Sequence, residues 1–248
     1  MSPTLPSDSQ LDQLIHDSDP DVMIAVAGDA RLTEDLALAL LERRDLPRQA
    51  LEQMHKHKSL ARQRKVQLAL VMHPHTPRHV SIPIIRRLYA FELMQVALLP
   101  SVVADVKRAA EETLIGRLAT VSSGERFTLA KQSSGRVAAA LLLDKEARVM
   151  RAALDNPQMT EVWIVKALKG ETGTELLAPA ASHHSKWSHR NDVKAALLAN
   201  KNTPLARLLG IAQELPLKAL RDVLRNARLA PNVKKQLQSA LEKRLGKI

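Results

Sequence analysis

The chain has 248 residues, a length that suits one large domain, two small ones or an array of repeats. Its residues are 45% hydrophobic but only 2% aromatic, and glycines number eight, which disfavours β-sandwiches and barrels. No cysteine is present, which excludes disulfides, thiolate zinc sites and thiol nucleophiles. The composition therefore predicts a mostly helical protein with a buried core.

The beginning of the sequence is acidic, whereas the rest is basic. Residues 1–54 contain eleven acidic and four basic residues, a net charge of −7, so residues 55–248 carry +18 of the overall +11. Such asymmetry points to a polyanionic partner, to self-association or to a solvated helical surface. We expect a flexible acidic segment over residues 1–18 and a single domain over residues 19–248.

The first residues are polar and show no secretory pattern, and the longest uncharged stretches are shorter than a membrane-spanning helix. We therefore expect a cytoplasmic protein that does not associate with membranes.

One short pattern recurs along the chain: a valine, a small residue three positions later and an apolar residue four positions later. The six repeat valines are Val22, Val66, Val106, Val149, Val193 and Val233, with spacings of 44, 40, 43, 44 and 40 residues. Positions i, i+3 and i+4 share one face of a helix, so each copy predicts a packed helix, here called a valine helix. The last copy departs from the pattern because Gln236 takes the place of the small residue.

A second marker follows four of the repeat valines by ten or eleven residues. It is a threonine followed by Pro or Glu, at Thr33, Thr76, Thr160 and Thr203. Threonine is a good helix N-cap, and Pro or Glu suits the first turn, so the marker predicts the start of a second helix. In the third copy the valine helix is expected to continue to about Leu118, with the turn at residues 122–124. Pro83 predicts a kink or a late helix start.

A third, short helix is indicated by two related segments. Residues 45–51 and 214–220 share a Leu-Pro step followed by Ala-Leu, and they lie 169 residues, about four periods, apart. No alternating run bounded by Gly-rich turns indicates a strand. The sequence thus predicts an all-α fold of about five repeats with a period near 42 residues.

The valine helices at residues 105–110 and 192–196 resemble the second helix of HEAT repeats, and the three-helix spacing resembles armadillo repeats. The turns at residues 156–160 and 200–204 resemble those of bacterial leucine-rich-repeat variants. This resemblance extends from about Asp19 to Leu245 and implies a right-handed α-solenoid that binds partners along its length. It does not specify the partner. In HEAT arrays, charged residues beside the valine often bridge adjacent repeats. This is the structural alternative for Asp105, Lys107, Asp192 and Lys194.

Few motifs suggest chemistry. Two histidine clusters, at residues 73–79 and 183–189, have spacings that can bind zinc or nickel, but they lie at predicted helix ends with no cysteine to complete a site. We interpret them as ordinary loop histidines. The sequence has no nucleophile elbow and no Gly-rich phosphate loop, so we expect no enzymatic activity, no cofactor and no metal.

A non-catalytic scaffold for protein partners is the first functional hypothesis, and binding of nucleic-acid phosphates by a basic face of the solenoid is the alternative. The candidate binding residues are Lys107, Arg108, Arg151, Lys194, Lys234, Lys235, Trp187 and Arg190. Trp187 is expected to be exposed for stacking, or else to anchor a helix end. Some HEAT-like proteins are glycosylases of alkylated bases, but such a site needs aromatic walls and an acid, and this chain has five aromatic residues.

Overall fold

The fold consists of α-helices. The computed structural model describes residues 8–170, 172–226 and 229–246, and within these ranges it has 17 α-helices and no β-strand. The predicted all-α fold is confirmed.

The helices are short, and most have seven to ten residues. In chain order they are α1 (Asp8–Leu14), α2 (Pro20–Ala27), α3 (Glu34–Leu41), α4 (Arg48–Lys56), α5 (Arg64–Met72), α6 (Arg78–Ile85), α7 (Ala90–Leu98), α8 (Ala104–Arg117), α9 (Ser123–Gln132), α10 (Gly135–Leu141), α11 (Ala147–Leu154), α12 (Glu161–Leu168), α13 (Leu177–His183), α14 (Asn191–Ala199), α15 (Leu205–Glu214), α16 (Leu217–Asn226) and α17 (Pro231–Leu245).

The contacts divide the chain into two compact units, of which the first ends at Ala119 and the second begins at Thr120. The first unit contains α1–α8, and the second contains α9–α17. The single repeat domain expected over residues 19–248, and its right-handed solenoid form, stay predictions.

Both units use the same packing between successive groups of three helices. In the first unit, α3 packs against α5, α6 against α8, α2 against α4 and α5 against α7. In the second unit, α9 packs against α11, α12 against α14, α15 against α17, α11 against α13 and α14 against α16. Here the second helix of each group is α2, α5, α8, α11, α14 or α17. The third helix of one group packs against the second helix of the next group. The second helix of a group also packs against the first helix of the next group. The chain is a helical repeat-like protein.

The valine helices are α2, α5, α8, α11, α14 and α17, and they bury the residue four positions after each repeat valine. Val66, Val106, Val149 and Val193 are buried, as the pattern predicts. The first and last copies differ, because Val22 and Val233 are half-buried. In α2 the buried residues are Met23, Val26 and Ala27, and this helix packs against α1 and α4.

The threonine marker correctly predicts where helices begin. The helices that follow the four markers start at Glu34, Arg78, Glu161 and Leu205. The expected N-cap bond forms at Thr33, whose hydroxyl accepts a bond from the first turn of α3 at 3.3 Å. At Thr76 and Thr203 the expected N-cap bond does not form. These hydroxyls instead donate to carbonyls of the preceding helix, those of Leu70 (2.5 Å) and Leu197 (2.7 Å). They therefore close the preceding valine helix.

The two expected departures from the pattern have different outcomes. α8 ends at Arg117, and Ser122 caps α9 by accepting a bond from the Glu125 amide at 3.4 Å, so the predicted turn is confirmed. Pro83 lies inside α6, which begins at Arg78, so of the two expected outcomes the late helix start is wrong and the kink stays a prediction.

A buried asparagine closes the turn after α11. The Asn156 Oδ1 atom accepts a bond from the Gln158 amide (2.7 Å), and its Nδ2 atom donates to the carbonyls of Ala130 (2.9 Å) and Ser133 (3.0 Å). Those carbonyls lie at the end of α9, where helical partners are missing. The asparagine thus joins the third helix of one group to the second helix of the next.

The same bridge recurs at other turns. Asn200, 44 residues after Asn156, donates to the carbonyl of Leu168 at 2.6 Å. His73 lies two periods before Asn156, and its Nε2 atom is 2.8 Å from the carbonyl of Arg43. Burial lowers the pKa of His73, which favours the neutral ring. The junction between repeats therefore combines apolar packing with a side-chain cap.

The sequence predicts a flexible N-terminal segment over residues 1–18. Residues 8–14 form α1, Leu11 and Ile15 are buried, and the Arg43 guanidinium donates to the carbonyl of Ile15 at 2.8 Å. From residue 8 onward this segment is therefore packed into the first unit. Residues 1–7 lie outside the described part of the chain.

Candidate functional site

A groove of about 500 Å³ lies between α11 and α13 in the second unit. Met150 and Leu154 form a buried apolar floor, and Leu176 on its edge is 41% exposed. The lining also includes Ala147, Arg151, Asp155, Glu175, Pro179, Ala180, His183 and His184. An apolar floor with a few polar groups at its edge is the usual composition of a binding site.

The end of the groove is fixed by contacts from the segment that follows α13. The Trp187 indole Nε1 donates to the carbonyl of Leu154 at 2.9 Å. His184 accepts a bond from the Lys186 amide on Nδ1, which leaves the proton of a neutral ring on Nε2, 3.0 Å from a carboxylate oxygen of Asp155. Both contacts tie this segment to the last turn of α11, so the walls of the groove hold a defined separation.

The charges in the groove differ from those of the basic chain around it. Arg151 is exposed on α11, whereas Asp155 and Glu175 add two exposed carboxylates to the lining of the groove. Among the described residues, Arg151 and Glu175 have no ion-pair partner. The groove thus offers both a cation and an anion to a ligand, and the helix C-terminus at Asp155 adds partial negative charge.

Trp187 is not the exposed aromatic residue that the sequence predicts. Its side chain is only 2% exposed, and the Lys186 ammonium lies 4.1 Å from the ring centroid. The indole cannot stack on a base or a partner while it packs under α11. The structural alternative, an anchor at a helix end, is the correct interpretation.

Lys194 is not part of an open basic face. It is 7% exposed, and its Nζ atom pairs with a carboxylate oxygen of Glu214 at 2.8 Å. The pair links α14 to the end of α15. A phosphate cannot reach this ammonium, because the ammonium is buried and already neutralised.

The other predicted cations are distributed over both units. Lys107 is half-buried on α8, with its Nζ atom 3.5 Å from the carbonyl of Pro100, and Arg108 is exposed beside it. Arg190, Lys234 and Lys235 are exposed in the second unit. Of the eight predicted residues, only Arg151 lines the groove. The sequence missed the α13 side of the groove because α13 carries neither the valine pattern nor the threonine marker.

The ion pair between Lys194 and Glu214 predicts a pH dependence of stability. The bond from Lys194 lowers the pKa of Glu214 below its ordinary value of 4.5, so the pair stabilises the fold above that pH and loses its effect as the pH falls through the lowered pKa. Because Glu214 is half exposed, we expect a loss of under about 1 kcal/mol in unfolding free energy. Urea denaturation between pH 6 and pH 3 measures it.

In that experiment the Glu214→Gln variant should show a shallower pH dependence than the wild type. The matched control is Glu175→Gln, which removes an exposed carboxylate without an ion-pair partner among the described residues. Identical pH profiles for Glu214→Gln and the wild type would refute the assignment.

The histidine clusters take part in backbone contacts. His73 and His75 form an edge-to-face pair with ring centroids 5.6 Å apart, and the His75 Nδ1 atom lies 3.2 Å from the carbonyl of Leu46. Within the described ranges, no three His, Asp or Glu side chains come together as ligands for a metal ion.

No helix in the described part of the chain combines the length and apolar character required to cross a bilayer. Comparison with known proteins gave no matching family model, no matching curated protein and no matching solved structure.

Proposed function

We propose that this chain is a non-catalytic scaffold that binds a segment of a protein partner in the groove between α11 and α13. The groove is the observation that supports the proposal, because it combines an apolar floor with polar groups of both signs. The cytoplasmic location and the right-handed HEAT/armadillo-like solenoid belong to the same proposal and rest on the sequence.

The size and lining of the groove suit a short peptide segment. A volume of about 500 Å³ accommodates a few side chains, and an apolar side chain placed on Met150 and Leu154 would lose part of its contact with water. Arg151 and Glu175 can then bind the polar groups of the same segment. Partner segments are commonly recognised in this way, with apolar anchors for affinity and polar neighbours for orientation.

The nucleic-acid alternative loses two of its predicted contacts. Trp187 is buried, and Lys194 is paired with Glu214. The groove itself holds two carboxylates near Arg151, which disfavours a phosphate backbone there.

A random dodecapeptide library displayed on phage tests the proposal. We expect selection on the whole chain to give a peptide whose affinity falls at least tenfold in the Ala180→Trp variant, because the indole would fill the groove. The matched control is Ala206→Trp, which adds the same group at an exposed position of α15. Fluorescence anisotropy of the labelled peptide gives the affinities. Equal binding to both variants, or no selected peptide, would contradict the proposal.

A further inference from the structure

Many arginines of this chain are engaged in holding the fold together. Arg43, Arg207 and Arg244 donate to main-chain carbonyls, and Arg64 and Arg126 pair with carboxylates. A cation that already has such a partner contributes little to binding an external anion. The basic residues without internal partners are therefore the ones to consider for binding.

Helix α16 has a row of such cations. Lys218, Arg221 and Arg225 are spaced by three and four residues, which places them on one helix face, and all three are exposed. The opposite face buries Leu220 and Val223, and α16 packs against α14 and α17. Within the described ranges, none of the three cations has an ion-pair or hydrogen-bond partner.

Helix α17 adds Lys234 and Lys235, which are both exposed. Its position is fixed by Arg244, which donates to the carbonyls of Ala212 (2.8 Å) and Leu215 (2.6 Å). Residues 217–246 contain eight basic residues and two acidic ones, a net charge of +6. Seven of the eight basic residues lie on α16 and α17, which pack against each other, and of these seven only Arg244 is bonded to main-chain carbonyls in the part of the chain that the structure describes.

We infer that α16 and α17 form a binding surface for the phosphate backbone of double-stranded nucleic acid. A lipid surface is disfavoured, because an interfacial helix inserts an exposed apolar face, whereas the apolar face of α16 is used in packing. Single strands are disfavoured because binding to them relies on aromatic stacking, and residues 217–246 contain no aromatic residue. The surface lies outside the groove and binds without sequence preference, since charge alone recognises the ligand.

The salt dependence of binding tests this inference. The probes are a 24-bp DNA duplex, a 24-bp RNA duplex and the corresponding single-stranded DNA, with the whole chain, measured by anisotropy between 50 and 200 mM KCl. We expect at least one duplex to bind more tightly than the single strand. The triple variant Lys218→Glu, Arg221→Glu, Arg225→Glu should lose at least tenfold at 50 mM salt and reduce the slope of log K against log salt by about two to three.

The control has the same change in net charge elsewhere. Lys58→Glu, Arg62→Glu, Lys65→Glu alters three exposed cations of the first unit and should retain most of the duplex binding. Circular dichroism verifies that both variants are folded. Equal losses in the two triple variants, tighter binding to the single strand, or no duplex binding at 50 mM salt would overturn the inference.

Discussion

Replacing Gly135 with alanine is expected to destabilise the second unit by about 2–3 kcal/mol. A Cβ atom at this buried position would lie 2.3 Å from the carbonyl oxygen of Gln158, a contact that the two backbones can relieve only by moving apart. Because Trp163 and Trp187 both belong to the second unit, urea denaturation followed by tryptophan fluorescence reports on this part of the chain.

The control for this prediction is Gly210→Ala in the middle of α15. A Cβ atom there has no neighbour within 4 Å, so the substitution should stabilise the helix by about 0.5–1 kcal/mol. Opposite signs for the two glycines would establish the close approach of α10 to the turn after α11. An unchanged midpoint for Gly135→Ala would refute it.

Asn156→Asp is expected to cost about 3 kcal/mol at pH 7. The side chain is 2% exposed, and the substitution replaces an Nδ2 donor with a carboxylate oxygen that faces the carbonyls of Ala130 and Ser133. The deficit should shrink as the pH falls from 7 towards about 4, because burial raises the pKa of the new carboxyl group, and the protonated acid is neutral and can donate one bond. Urea denaturation at pH 7 and pH 4 measures both effects.

The matched control makes the same chemical change at an exposed helix start. Asn191 begins α14, where a carboxylate interacts favourably with the helix dipole, so Asn191→Asp should change stability by no more than about 0.5 kcal/mol. If Asn156→Asp behaved like Asn191→Asp at pH 7, the buried bridge between repeats would be refuted.

Local signals in the sequence were sufficient to predict much of the fold. The repeat valines and threonine markers are patterns that span about one turn of helix. They therefore indicate where helices lie and begin, regardless of distant contacts. Val22 shows the limit, because it is only half-buried although it has the same local pattern as the buried Val66. The caps at Asn156 and Asn200 join residues 23–32 positions apart, and no local pattern identifies those partners.

The candidate site was less predictable for the same reason. Trp187 looked like a surface residue because its neighbours in sequence are polar, and Lys194 because its own side chain is charged. Their partners, Leu154 and Glu214, lie 33 and 20 positions away. The groove depends on the packing of α13 beside α11. Only Arg151 among its residues is a predicted binding residue, and His183 and His184 are interpreted from the sequence as loop histidines. The basic row on α16 requires knowing which face of that helix is buried.

Two separate surfaces of the second unit thus have different proposed ligands. The groove suits a peptide segment with an apolar anchor, and the α16–α17 surface suits a phosphate backbone. A chain with both would connect a protein partner to a duplex. The groove is the central element, since it supports the proposed function.

Methyl NMR of the chain labelled at the methionine methyl groups tests the groove most directly. The chain has seven methionines, and Met150 lies on the groove floor, whereas Met23 and Met54 are buried in the first unit. Titration with the selected dodecapeptide should shift the Met150 signal, assigned with Met150→Leu, and leave Met23 and Met54 unchanged. Binding of the peptide with no shift at Met150 would contradict the assignment of the groove as the binding site.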